Sequence, residues 1–153
     1  MRVLVYKRTH KGDPDELGRF GIFECMGQVR TWEFDAVIGV GGIGSGAVQD
    51  GIDRKITWIG KARHKINDGC DGYPIWAFEQ FYLKDEKGCL PIDKAPKLAK
   101  RILARYGPRV IPVEADDEID AILKLARNSR PSPALLGKKA KAVRSNCSPK
   151  KKC

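Results

Sequence analysis

Two histidines and five cysteines are all that the sequence offers in imidazole and thiol chemistry. His10 lies beside Lys7, Arg8, Lys11 and Asp13, and His64 lies in KARHK beside Lys61, Arg63 and Lys65. A histidine among cations can act as general acid or base on a phosphodiester, the cations holding the phosphate while the imidazole moves a proton near neutral pH. Charged loops next to strands are equally where inert histidines sit. His10 and His64 are therefore the catalytic candidates, and whether the chain is an enzyme stays open. The cysteines, Cys25, Cys70, Cys89, Cys147 and Cys153, are odd in number and scattered, with no CxxC pair. Reduced thiols are expected, and no metal site. The sequence has no serine in a nucleophile elbow, no HExxH and no P-loop lysine. Glu79, a lone acid in WAFEQFYL, falls by alternation on one face with Ala77 and Phe81, either as a paired or exposed edge acid or as a polar anchor in a ligand pocket.

The most specific local string is DAVIGVGGIGSGAVQDG, in which Gly39, Gly41 and Gly44 satisfy GxGxxG directly after an apolar run. That pattern lets backbone approach a phosphate at the start of a helix. Glycine also supplies ordinary flexible hairpins and inter-strand loops, so both readings stand. No bound cofactor is expected, because the helix that would follow is cut short by Gly51 and the second strand ends on Gly60 instead of an acid.

VIGVGGIGS resembles the nucleotide-binding turn of the adenylating enzymes that activate ubiquitin-like proteins, with KITWIG where their second strand would follow. That resemblance implies that Gly39, Gly41 and Gly44 face phosphates. A second resemblance covers about residues 1 to 85. The succession RVLVYKRTH, DPDELGRFG, an aromatic strand with Cys25, FDAVIGVGG and KITWIGKAR is similar to that of nucleotide-modification-associated domains and PUA-like relatives such as ASCH and EVE domains. Asp35, Val37, Ile38, Gly39, Gly41 and Gly42 occupy comparable places. This likeness implies a small curved sheet or barrel that receives a nucleotide or modified base. Such a ligand needs an aromatic stacking surface and cations for phosphate. Trp32, Trp58, Tyr73, Trp76 and Tyr82 could stack, and Arg30, Lys55, Lys61, Arg63 and Lys65 could meet phosphate, the alternatives being core packing for the aromatics and a solvated turn for KARHK. The ligand-binding set is then Gly39, Gly41, Gly44, Trp58, Lys61, Arg63 and Lys65.

The elements that must position these residues are mostly strands first and helices later. Val3 to Tyr6, Phe20 to Cys25, Val29 to Trp32, Ala36 to Val40, Lys55 to Gly60, Ile75 to Leu83 and Val110 to Val113 read as strands. From Lys94 to Tyr106 apolar residues recur at helical spacing, with Lys94, Lys97, Lys100, Arg101 and Arg105 on the polar face. A second helix spans about Asp117 to Asn128, with Asp116 or Asp117 as its cap. This order predicts an α+β fold, a curved mixed sheet or small barrel flanked by two C-terminal helices.

With 153 residues, one domain is expected over 1–130, followed by a disordered basic tail over 131–153. The net charge of +10 is unevenly spread. Lys138, Lys139, Lys141, Arg144, Lys150, Lys151 and Lys152 give the tail +7 with no acid, leaving +3 for the other 130 residues. The apolar run at the N-terminus is too short for a signal peptide or membrane span, so a cytoplasmic location and no membrane partner are expected. The reading is a nucleic-acid or nucleotide binding module associated with DNA or RNA modification. The alternatives are a small enzyme acting on nucleotides or RNA, and a non-enzymatic interaction protein docking through its tail. Oligomeric state is not legible.

Overall fold

A computed structural model describes residues 1–8, 14–21, 33–42, 45–68, 74–83, 89–91, 93, 96–103, 109–112, 116–126 and 129–137. The strands are β1 (Arg2–Arg8), β2 (Ala36–Gly41), β3 (Lys55–Asp68), β4 (Pro74–Leu83), β5 (Leu90–Pro91) and β6 (Arg109–Pro112). The helices are α1 (Ser45–Gln49), α2 (Pro96–Leu103) and α3 (Asp116–Leu125). The strands form a mixed sheet in the order β4-β3-β2-β1-β6, and β5 pairs with the start of β3. Only β1 and β2 run parallel; the other pairs are antiparallel. The fold is α+β as expected, and the sheet is open. The barrel alternative fails because β4 and β6 lie at opposite ends of the strand order instead of pairing.

Both faces of the sheet are covered, which explains why β2 reads as an unbroken apolar run and is buried at every position. Alternation in β1 sends Val3 and Val5 to one layer and Leu4 and Tyr6 to the other. The first layer receives Leu98 from α2, Ile119, Ile122 and Leu123 from α3, and Ala126 just beyond it, against Ala36, Ile38, Val40, Ile56, Ile59 and Tyr82. The second layer is aromatic: Phe20 and Phe34, from chain outside the strands, pack with Trp58, Trp76, Phe78 and Phe81. Burying each of these large side chains contributes roughly 1.5–3 kcal/mol before ordering costs.

The outer edge of β4 is closed by irregular chain. Phe20 and Trp76 exchange two backbone hydrogen bonds of 2.9 Å, and Phe81 and Arg130 exchange two of 2.7 and 3.0 Å. Ser132 donates its N–H to the Phe78 carbonyl at 2.9 Å, and its Oγ accepts from the Phe78 N–H at 3.0 Å. Residues 131–137, read from sequence as the start of a disordered tail, are thus part of the fold: the edge groups of β4 need partners, and this segment supplies them. The rest of the tail, 138–153, lies outside the described residues.

Alternation along β4 breaks at Glu79 and Gln80. Phe78 and Phe81 both join the aromatic layer, leaving Glu79 and Gln80 exposed together. The expectation that Glu79 shares a face with Phe81 is therefore overturned. Opposite this point on β3, Ala62 adopts a left-handed φ of 57°.

Candidate functional site

Gly39 and Gly41 lie within β2 and not in a turn after it. Gly39 pairs with Tyr6 on β1 and with Trp58 on β3. A Cβ at Gly39 would overlap Nε1 and Cδ1 of Trp58 and lie 2.9 Å from its Cε2. A Cβ at Gly41 would overlap the Ile52 carbonyl oxygen, because the chain after α1 returns to bridge Gly41 with Asp53. Both glycines therefore admit close neighbours of this chain itself. Helix α1 has five residues and is followed by Gly51 at a φ of 65°. Gly44 is outside the described residues.

Trp58 is fully buried, and Trp76 and Tyr82 are nearly so, which makes all three core side chains in this conformation. Trp58 Nε1 and Thr57 Oγ1 are buried without a hydrogen-bond partner among the described residues. They sit beside the register shift between Gly39 and Val40. Trp32, Tyr73 and Arg30 fall outside the described residues, as does His10.

The cations of KARHK are on a strand. β3 runs through them to Asp68 and pairs with β4 over Lys61↔Gln80, Arg63↔Phe78, His64↔Ala77 and Lys65↔Trp76. A solvated turn is thereby excluded for this segment. Lys61 pairs with Ala36, the first residue of β2, whereas Gly41 is the last. Five residues of strand, about 17 Å, separate the two along the sheet. Gly41 and the cations Lys61, Arg63 and Lys65 grouped with it in the ligand-binding set are thus at opposite ends of β2, whereas Lys55 starts β3 at the glycine end, where its Nζ donates to the Gly51 carbonyl at 2.7 Å.

Lys61, His64 and Lys65 each meet a carboxylate. Lys61 Nζ lies 2.5 Å from Asp120 Oδ1 of α3, Lys65 Nζ 2.7 Å from Asp68 Oδ1, and His64 Nε2 2.6 Å from Glu79 Oε1. The His64–Glu79 contact has the form of a base oriented by a carboxylate, but both side chains are about half exposed. Pairs this open contribute less than about 1 kcal/mol.

Arg63 is the most constrained. Its guanidinium lies over the Phe34 ring at 4.4 Å and the Trp76 ring at 5.3 Å from their centroids, and it forms no ion pair among the described residues. Burial lowers its pKa from the ordinary arginine value; Asp35 raises it partway, and Arg2 and Glu33 act in opposite senses. The Arg63 N–H donates to the Asp35 carbonyl at 3.3 Å, and the Asp35 carboxylate accepts from the Arg2 N–H at 2.6 Å. Arg2 in turn pairs with Glu33 at 2.5 Å. Arg63 was legible from sequence, whereas Arg2 and Glu33 were not: their only signal is position, Arg2 opening β1 and Glu33 lying just before its parallel neighbour β2.

No group of histidine, cysteine and acidic residues among the described residues is arranged to hold a metal ion. No described helix is long and apolar enough to cross a membrane. Compared with known proteins, the chain matches no family model, no curated protein and no solved structure.

Proposed function

We propose that the chain is a nucleic-acid-binding module whose affinity comes chiefly from its C-terminal cations. The observation that carries this reading is the division of charge: Lys138, Lys139, Lys141, Arg144, Lys150, Lys151 and Lys152 all follow Gly137 with no acid among them, while the rest of the chain is only +3. A cation without an acidic neighbour releases a counterion from a phosphate backbone at no cost in broken ion pairs. Lys61, His64 and Lys65, by contrast, must exchange a carboxylate for each phosphate they meet. The folded domain serves in this reading as the platform on which the segment is carried, its 129–137 stretch anchored to β4.

The test is the salt dependence of duplex binding by the full chain and by a variant with those seven residues changed to glutamine. If all seven meet phosphates, the log–log slope for the native protein includes about −6 from them. Their removal should flatten the slope by that amount and weaken binding steeply below about 100 mM salt. Equal slopes for the two proteins, or no binding of duplex or single strand by the native protein at low salt, would overturn the reading.

A further inference from the structure

The +3 of the remaining chain conceals a second concentration of positive charge. From Lys94 to Arg109 the sequence carries Lys94, Lys97, Lys100, Arg101, Arg105 and Arg109 and no acid. Within this stretch α2 (Pro96–Leu103) is seated on the sheet by Leu98, which is 1% exposed. Lys97, Lys100 and Arg101 are all exposed. At about 100° per residue they fall within an arc of ~100° on one side of Leu98. None of the three forms an ion pair among the described residues, whereas Lys61, His64 and Lys65 each do.

We infer that the exposed face of α2 formed by Lys97, Lys100 and Arg101 is the folded domain's own contact for a nucleic-acid phosphate backbone, in place of the KARHK strand. The inference rests on the nucleic-acid reading above and adds a second, structured contact to it. Lys97 to Arg101 spans about 6 Å along the helix axis. Phosphates of one duplex strand advance about 3.4 Å each along the duplex axis, so the face is long enough for about two of them. Lys100 and Arg101 lie in the last turn, where positive charge also suits the helix dipole. The partner's chemistry follows from the side chains that α2 itself contributes, three exposed cations and no aromatic or acidic residue, a composition suited to phosphate contacts, which position a strand.

The experiment uses the full chain in four forms: native, the seven-residue glutamine variant of the tail, Lys97→Gln/Lys100→Gln/Arg101→Gln, and the two sets combined. Each is titrated with a duplex of about 25 base pairs and with oligo-dT across a range of salt. The α2 variant should flatten the duplex slope by about 2 to 3. The tail variant should keep a weak residual affinity that the combined variant loses, while His64→Gln/Lys65→Gln should behave as native. If the α2 variant matches the native protein while the tail variant does not, this inference is overturned and the broader reading stands. If the native protein binds neither probe, both fail. If the α2 variant loses binding to polyglutamate but keeps its affinity and slope for both nucleic acids, the face serves an acidic protein and the inference is likewise overturned. Circular dichroism and melting check the fold. Should the triple variant not fold, Lys97→Gln and Arg101→Gln singly must each reduce the slope by about 1, and an unchanged slope in both refutes the inference.

Discussion

Replacing Gly39 with alanine separates packing from phosphate chemistry at the first glycine of the GxGxxG string. An alanine Cβ would overlap Nε1 and Cδ1 of the Trp58 indole and lie 2.9 Å from Cε2. Ordinary carbon contacts are about 3.5–4.0 Å, so the ring must retreat by something on the order of 1.5 Å. It has little room: Phe20 lies 4.8 Å and Phe78 6.1 Å from it, centroid to centroid. Gly39 itself is held between β1 and β3. Overpacking of this kind costs about 1–3 kcal/mol, and with neither the ring nor the strand free to yield the upper end is expected. For a chain of this size that is a fall of roughly 6–12 °C in melting temperature. Trp58→Val removes Nε1, Cδ1 and Cε2 together, so Gly39→Ala/Trp58→Val should be less destabilised than the sum of the single changes by at least about 1 kcal/mol in urea titrations. Strict additivity would refute the packing argument. So would a Gly39→Ala protein that melts like the native one yet loses stabilisation by ATP or NAD, since the glycine would then serve a bound phosphate.

Two further substitutions probe the chain that closes the β4 edge and the stacked arginine. Ser132→Ala leaves the Phe78 N–H without its acceptor and should cost about 1–3 kcal/mol, with faster hydrogen exchange at Phe78; native-like stability would mean that residues 129–137 are not held as described. Arg63→Ala should lose about 1–2 kcal/mol of cation–π and stem packing over Phe34 and Trp76. Arg63→Lys should recover only part of that loss, because an ammonium does not stack as a guanidinium does; full recovery would reduce Arg63 to a point charge.

The parts of the fold that depend on apolar runs were legible, and the parts that depend on backbone partners were not. β2 is a continuous apolar string, and β1 and β4 carry the apolar runs Val3 to Tyr6 and Ile75 to Phe78, because the sheet is covered on both sides. The second half of β3 is mostly charged and polar, and only its pairing with β4 makes it strand. The 129–137 segment has the proline, serine and leucine content of a linker, yet its hydrogen bonds to Phe78 and Phe81 are made by main chain and one hydroxyl, which leave no side-chain period to read.

The same distinction governs the candidate site. Residue types were visible, but a cation's availability depends on its partners, and Asp120, which occupies Lys61, is 59 residues away. Gly41 and Lys61 look close in sequence, yet antiparallel pairing sends them to opposite ends of β2. For α2 the partners that matter most are local, because a helical side chain reaches residues three and four away. The absence of any acid between Lys94 and Arg109 was thus readable in advance, whereas the carboxylate partners of Lys61, His64 and Lys65 were not. Counting charge over the whole domain averaged these two cases together. It is the unpaired face, not the densest run of basic letters, that a phosphate backbone meets without first displacing a carboxylate.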